Sequence, residues 1–278
     1  MTIQAPAKVN LVLRILAKRP DGYHDIKTLM VPVSLADEMD VEITKGSGIF
    51  LQCDQSDIPV DSSNLVWQAI QLFSQHTGLS FQARVFLKKN IPHGAGLGGG
   101  SSDAASILKA LDTLLDTRLG FPLLEELAAR LGSDIPFFIR GRPAVCRGRG
   151  EIMEDAGEIP PARLLLIKPP FPVSTRDAYQ SCSVRGHGSA EPPRPQFHGR
   201  IELINDLEMP VFQKFVLLPA IKAWLLEQDE VSAAMMSGSG STIFAILRDG
   251  AGTLGQRAKN LFGPHLWTCE TSLGTVED

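Results

Sequence analysis

Cysteine is scarce in this 278-residue chain, with four in all: Cys53, Cys146, Cys182 and Cys269. They are widely spaced and form no CxxC or Cys/His cluster, so neither a zinc site nor a disulfide framework is indicated, and a reducing cytoplasm is the expected setting. Long apolar runs are missing as well. No stretch approaches the ~18 apolar residues of a membrane span, and the opening MTIQAPAKVNLVLRIL is broken by Lys8, Asn10 and Arg14 and lacks the charged start and cleavage site of a signal peptide. A formal net charge of -4 leaves no basic footprint for non-specific nucleic-acid binding, so neither nucleic acid nor membrane is an expected partner. No internal repeat is present. What remains, at 44% hydrophobic and 21% charged residues, is an ordinary globular composition, long enough for one large domain or two modest ones.

Ala7 to Leu16 is β-rich and alternates in places, as a half-buried strand does. The turn Asp21-Gly22 opens DGYHDIKTLMVPVSL, a second strand, and DEMDVEITK and GIFLQC suggest a meander, so the first ~50 residues predict mainly antiparallel β structure. SNLVWQAIQLFSQHTG then predicts a helix capped by Ser63 and stopped by Gly78. FQARVFLKKN alternates Phe81, Ala83, Val85 and Leu87 and leads directly into IPHGAGLGGGSSDAAS, after which Ala104, Ile107, Leu108, Leu111 and Leu115 share one helical face. A further helix ends at Gly132, and RPAVCRGRGEIMED reads as a hairpin around Gly148 to Gly150. Proline and glycine rise around Glu158 to Pro161, which divides the chain into domains at 1–158 and 159–278. In the second domain RLLLIKPP, VSAAMM, STIFAIL and LWTCET predict strands, with helices near Leu217 to Glu227 and Thr253 to Phe262, an α+β mixture. RGHGSAEPPRPQFHG, Arg185 to Gly199, is too polar and Pro-rich to form a core and is expected to be a mobile surface loop.

The glycine stretch is the most informative segment. A flexible linker would not have a strong helix growing out of it. Gly94, Gly96 and Gly99 satisfy GxGxxG, but a dinucleotide fingerprint needs a parallel βαβ setting and an acidic residue ~20 positions later at the end of the next strand. A Walker A loop needs Lys after its last glycine, where Ser101 and Ser102 stand. A glycine loop at a helix N-terminus remains: bare N–H groups and the positive end of the helix dipole favour an anion, and glycine lets phosphate oxygens approach the backbone. Ser101 and Ser102 add hydroxyls to such a cradle, or merely cap the helix.

IPHGAGLGGGSSDAA resembles the phosphate-binding motif of the galactokinase, homoserine kinase, mevalonate kinase and phosphomevalonate kinase (GHMP) superfamily. APAKVNLVL, Ala5 to Leu13, and MMSGSGSTIFAI, Met235 to Ile246, resemble its two other motifs in the same order. Within the superfamily, PAKVNLVLRILAKRPDGYHDIKTLM, LGSDIPFF and SGSGSTIF are most similar to the kinases of 4-diphosphocytidyl-2-C-methyl-D-erythritol in the non-mevalonate isoprenoid pathway, and RPDGYHDI discriminates most. The resemblance implies a two-domain α+β GHMP kinase fold, with an N-terminal ATP-binding and catalytic domain like ribosomal protein S5 domain 2 and a ferredoxin-like C-terminal domain. It also implies ATP with Mg²⁺ as cofactors and phosphorylation of a 2-hydroxyl.

By residue type alone, Tyr23 fits packing at a turn, His24 a satisfied histidine, Asp134 an N-cap after Gly132, and Lys8 a lysine snorkelling from an exposed strand face. The resemblance assigns them other work. Tyr23 and His24 bind the cytidine, by stacking and by hydrogen bonds to the base edge. Asp134 is the general base. Lys8 keeps that carboxylate ionised and steadies the nucleophilic oxygen, and Asn10, on the same strand face, is a substrate contact. Pro92, Gly94, Ala95, Gly96, Leu97, Gly98, Gly99, Gly100, Ser101 and Ser102 carry the ATP phosphates. No metal ligand is assigned, because no second acidic residue is clearly placed for one. SGSGS, Ser237 to Ser241, supports the site, and NDLE, Asn205 to Glu208, is read as a structural cap. Two competing readings are a homoserine or mevalonate type of GHMP kinase, opposed by RPDGYH, and a non-catalytic RNA-binding module, opposed by the net charge.

Overall fold

The computed structural model describes residues 1–182 and 195–274. Packing divides the chain into two compact units that interleave along it: Met1–Ala7, Leu35–His93 and Gly98–Arg142 form the first, and Lys8–Ser34, Gly94–Leu97 and Pro143–Asp278 the second. Two long strands, β1 (Thr2–Lys18) and β2 (His24–Thr44), each begin in one unit and end in the other.

DEMDVEITK is not a separate strand but the end of β2. Buried Met39 and Val41 alternate with outward Glu38, Asp40 and Glu42, and that period of two continues the strand without a break. β3 (Gly48–Cys53), α1 (Leu65–Thr77) and β4 (Gln82–Lys88) complete the sheet of the first unit. β4 runs antiparallel to β2, from Glu38 opposite Lys88 to Thr44 opposite Gln82, and parallel to β3. GIFLQC therefore does not continue a meander. Parallel strands need a crossover, and α1 supplies it, burying Val66, Ala69, Ile70, Leu72 and Phe73. Asn64 rather than Ser63 caps α1: its side chain accepts a hydrogen bond from the Val66 amide at 2.8 Å, and left-handed Gly78 ends the helix as expected. Three helices follow: α2 (Gly99–Leu114), α3 (Gly120–Leu131) and the short α4 (Ile135–Arg140).

The last segment of the second unit starts with the expected hairpin, β5 (Ala144–Gly148) and β6 (Ile152–Asp155), β5 pairing with the Ile26 to Met30 part of β2. The Pro- and Gly-rich segment follows, then β7 (Arg163–Lys168), α5 (Thr175–Gln180), β8 (Gln196–His198), β9 (Ile201–Asn205), α6 (Glu208–Lys214) and α7 (Leu217–Leu226). The unit closes with β10 (Val231–Met236), β11 (Ile243–Leu247), α8 (Leu254–Phe262) and β12 (Trp267–Ser272). The antiparallel order β10-β11-β7-β12, with α6 and α7 before β10 and α8 before β12, is the β-α-β-β-α-β arrangement of ferredoxin-like domains. Its core joins Leu165, Ile167, Ile243 and Ala245 of the sheet to Leu218, Ile221, Leu225 and Leu254 of the helices. Of the expected mobile loop at Arg185 to Gly199, residues 185–194 lie outside the described residues. Its end differs from expectation: Gln196–His198 is a strand antiparallel to β9, and the Gln196 side chain bonds both the N–H and the carbonyl of Ala234. Among the described residues no single helix is long and apolar enough to cross a membrane.

Candidate active site

Within the second unit, β1 points Lys8 and Asn10 to one face, and both are buried, at 4% and 3% exposure. A snorkelling lysine is excluded. The Lys8 ammonium donates to Asn10 Oδ1 at 2.5 Å and to the Gly96 carbonyl at 2.9 Å, while the Lys8 backbone N–H donates to Leu97 O. Asn10 in turn donates to the Thr28 hydroxyl at 2.8 Å. Lys8 is thus tied by main chain and side chain to the middle of the glycine loop.

The loop after β10 closes on the same residues. Ser237 Oγ donates to Gly96 O at 3.1 Å, and Thr242 N–H donates to Ala95 O. Gly96, at φ +74°, has no room for a side chain: a Cβ there would lie 2.2 Å from Ser237 O. A Cβ on Gly238 would meet Asn10 Oδ1 at 3.2 Å and Lys8 Nζ at 3.3 Å. SGSGS is therefore more than a hairpin turn. Asn205 Oδ1 accepts from Leu207 N–H, as a cap would, but its amide nitrogen also donates to Met236 O and Gly238 O, a tie that sequence reasoning missed.

The turn before β2 is built by the Asp21 side chain, which accepts from Tyr23 N–H, and by Arg19, which pairs with Asp21 and Asp25. Tyr23 is half exposed, with the Arg149 guanidinium 4.1 Å over its ring. His24 is buried, its ring 5.7 Å from that of Tyr179, and its Nε2 has no hydrogen-bond partner. Burial, helped by the Lys18 charge, holds the imidazole below its usual pKa. Both tyrosines of the chain therefore adjoin His24. Arg149 and Tyr179 had no motif to announce them, since their neighbours come from distant elements.

In the first unit, left-handed Gly98 (φ 75°) holds the N-cap position of α2 and makes no side-chain cap. Ser101 and Ser102 stand inside the first turn, so they are not the cap. Ser102 Oγ is buried without a partner. A bare helix N-terminus with an unspent hydroxyl fits phosphate oxygens, which need N–H and O–H donors. Asp134 holds the N-cap position of α4, but its side chain makes no capping hydrogen bond, which leaves the carboxylate for other chemistry. Beside the loop lies a cluster that the sequence did not reveal. Lys89 Nζ bonds Asp37 and, at 2.8 Å, Asp103, while Asp37 Oδ1 accepts from the N–H groups of Asn90 and Ile91. Burial alone would lower the Lys89 pKa, but the charges of Asp103 and Asp37 outweigh it and raise it.

Residues 64–142 match the family model for the GHMP kinases N terminal domain. The chain is 42% identical over 268 residues to the 4-diphosphocytidyl-2-C-methyl-D-erythritol kinase of Methylacidiphilum infernorum, covering 95% of this chain and 93% of that one. This chain belongs to the 4-diphosphocytidyl-2-C-methyl-D-erythritol kinase family. The family's protein from Geobacter metallireducens is 36% identical, over 88% of this chain and 89% of its own. A crystal structure of 4-(cytidine 5'-diphospho)-2C-methyl-D-erythritol kinase superposes with a TM-score of 0.81 at 35% identity, covering 99% of both chains. Homoserine kinase from Cytophaga hutchinsonii, at 19% identity and a TM-score of 0.67 over 98% of this chain and 94% of its own, shares the fold. The fold of this family member is that of the GHMP kinases.

Proposed function

We propose that the chain transfers the γ-phosphoryl group of ATP to the 2-hydroxyl of 4-diphosphocytidyl-2-C-methyl-D-erythritol. The observation that carries the reading is its 42% identity, over 95% of its length, to a kinase named for that substrate. Pro92, Gly94 to Gly100, Ser101 and Ser102, including Ala95 and Leu97 within that span, hold the ATP phosphates on main-chain N–H groups and on the Ser102 hydroxyl. Asp134 takes the proton of the 2-hydroxyl as its oxygen bonds the γ-phosphorus; the bond to the bridging oxygen breaks and ADP leaves. Lys8 contributes positive charge to the nucleophilic oxygen, and Asn10 contacts the substrate. The cytidine stacks on Tyr23, where Arg149 offers a second planar face, and the unpartnered His24 Nε2 meets the base edge. Mg²⁺ bound with the phosphates would neutralise their charge. Among the described residues no group of three or more His, Cys, Asp or Glu could hold a metal, so the nucleotide would supply most of its ligands, as Mg²⁺ sites with substrate phosphates do. We place the enzyme in the cytoplasm.

The test is ADP release with Mg-ATP and, separately, 4-diphosphocytidyl-2-C-methyl-D-erythritol, homoserine or mevalonate. Turnover with the first alone is expected, and preference for another acceptor would overturn the assignment. In the same assay Asp134→Asn should abolish turnover while ATP affinity stays within about threefold, the pattern of a group used only in the transition state.

A further inference from the structure

The NDLE segment has no part in the chemistry above, yet its hydrogen bonds run both to β1, the strand that carries Lys8, and to the loop after β10. Asn205, 7% exposed, points one amide nitrogen at two carbonyls, Met236 O at 2.8 Å and Gly238 O at 2.7 Å. These flank Ser237, whose hydroxyl donates to the Gly96 carbonyl that Lys8 Nζ also uses. Asp206, the next residue, faces the other way: its N–H donates to Leu13 O, and its Oδ2 accepts from Ile15 N–H at 2.8 Å. β9 is parallel to β1 at this point, with Leu13 opposite Asn205. Two consecutive residues therefore link the strand that carries Lys8 and Asn10 to the loop that packs against them.

We propose that Asn205 is a positioning residue, which with Asp206 holds the Ser237 to Gly238 loop in register with β1 and so fixes Lys8 and Asn10 for phosphoryl transfer. The amide is chemically specific. Two donors in one plane match two carbonyls, whereas a carboxylate of the same shape would place a negative charge against both, and a hydroxyl could bond only one. Displacing reacting groups by about 1 Å costs on the order of 10²-fold in rate.

The inference rests on the kinase reading, so its test has two arms. In the kinetic arm, Asn205→Asp should lower kcat about 100-fold, with KM for ATP and for the acceptor within about threefold, and Asn205→Ser should fall between the variant and wild type. In the second arm, Lys8 is labelled with a small amine-reactive reagent and quantified by mass spectrometry, a readout that needs no acceptor. Lys8 should label about tenfold faster in Asn205→Asp than in wild type, if the loop moves as its lost hydrogen bonds require, while buried Lys89 of the other unit is unchanged. Equal acceleration at both lysines, as in a variant that fails to fold, reduces Asn205 to a stability role and overturns the proposal, as does unchanged labelling or wild-type kcat. If wild type does not turn over the named acceptor, the functional reading falls and the labelling arm still decides the role of Asn205.

Discussion

At Asp103, one carboxylate oxygen rests on Lys89 and the other is buried without a partner. Burial, with the neighbouring Asp37 charge, pushes its pKa up to about 7 from an ordinary 3.8, against the pull of Lys89. The sign of the consequence follows from proton counts. Between about pH 4 and 7 the folded chain keeps a proton here that the unfolded chain has released, so this group makes stability fall as pH rises through that window and become constant above it. Lys89, also raised in the folded state, makes stability fall with rising pH in the same sense, but only above its ordinary 10.5, outside that window. Asp103→Asn cannot titrate. The thermal midpoint of wild type relative to Asp103→Asn should therefore fall from pH 4 to pH 7 and then level off; a difference independent of pH would refute the assignment. None of this was legible in the sequence, because Asp37 of β2, Lys89 just after β4 and Asp103 of α2 come from separate parts of the chain and nothing in their spacing marks them as a cluster. Lys8 was legible, since a lysine amid buried strand residues is an unusual choice that invites a reason.

Among the elements, the glycine loop and α2 show how local chemistry and packing share the work. Gly96 and Gly100 are four residues apart in one motif, yet the structure gives them different constraints. Gly96 has positive φ and faces the Ser237 carbonyl, whereas a Cβ on Gly100, inside α2, would meet only Leu65 Cδ1 at 3.8 Å. Gly96→Ala should destabilise the fold by at least about 1–3 kcal/mol, from the strained conformation alone, and displace the loop from Lys8. Gly100→Ala should be neutral or stabilise by up to about 1 kcal/mol, as alanine does inside a helix. Urea titration of both variants checks the pair; equal losses would show that composition rather than packing governs the motif. Strand, loop and α2 were readable because their signals are local: alternation, positive-φ residues and a 3.6-residue period. The pairing of β3 was not, since GIFLQC looks the same beside β2 or β4 and only α1, once its apolar face must be buried, makes the parallel crossover favourable. α4 was missed because six residues are too few for periodicity.

For the molecule as a whole, ligand linkage tests whether the nucleotide site belongs to the folded chain. Mg-ATP at a hundredfold excess over its Kd should stabilise by about 2.7 kcal/mol, a rise in thermal midpoint of about 5–10 °C for a chain of this size. Asp134→Asn should show the same rise, because the residue is assigned to proton transfer and not to ATP. Loss of the shift would move Asp134 into the nucleotide site. Three motifs in order, PAKVNL, GAGLGGGSS and SGSGS, with the DGYH turn, indicated a GHMP kinase and its acceptor by their resemblance to that family; the residues alone indicated an anion-binding loop at a helix N-terminus. The strands and helices of the second half were readable as an α+β mixture, because alternation and helical period survive without their neighbours, while its ferredoxin-like arrangement was implied by the resemblance alone. Packing alone decided that Lys8 is buried and bound to Gly96, that Tyr179 adjoins His24, that Asn205 braces the loop after β10, and that Asp37 and Asp103 share Lys89. Those contacts join residues as many as 155 positions apart, as His24 and Tyr179 are, and hydrogen bonds, ion pairs and ring contacts act over a few ångströms of space, whatever the distance along the chain.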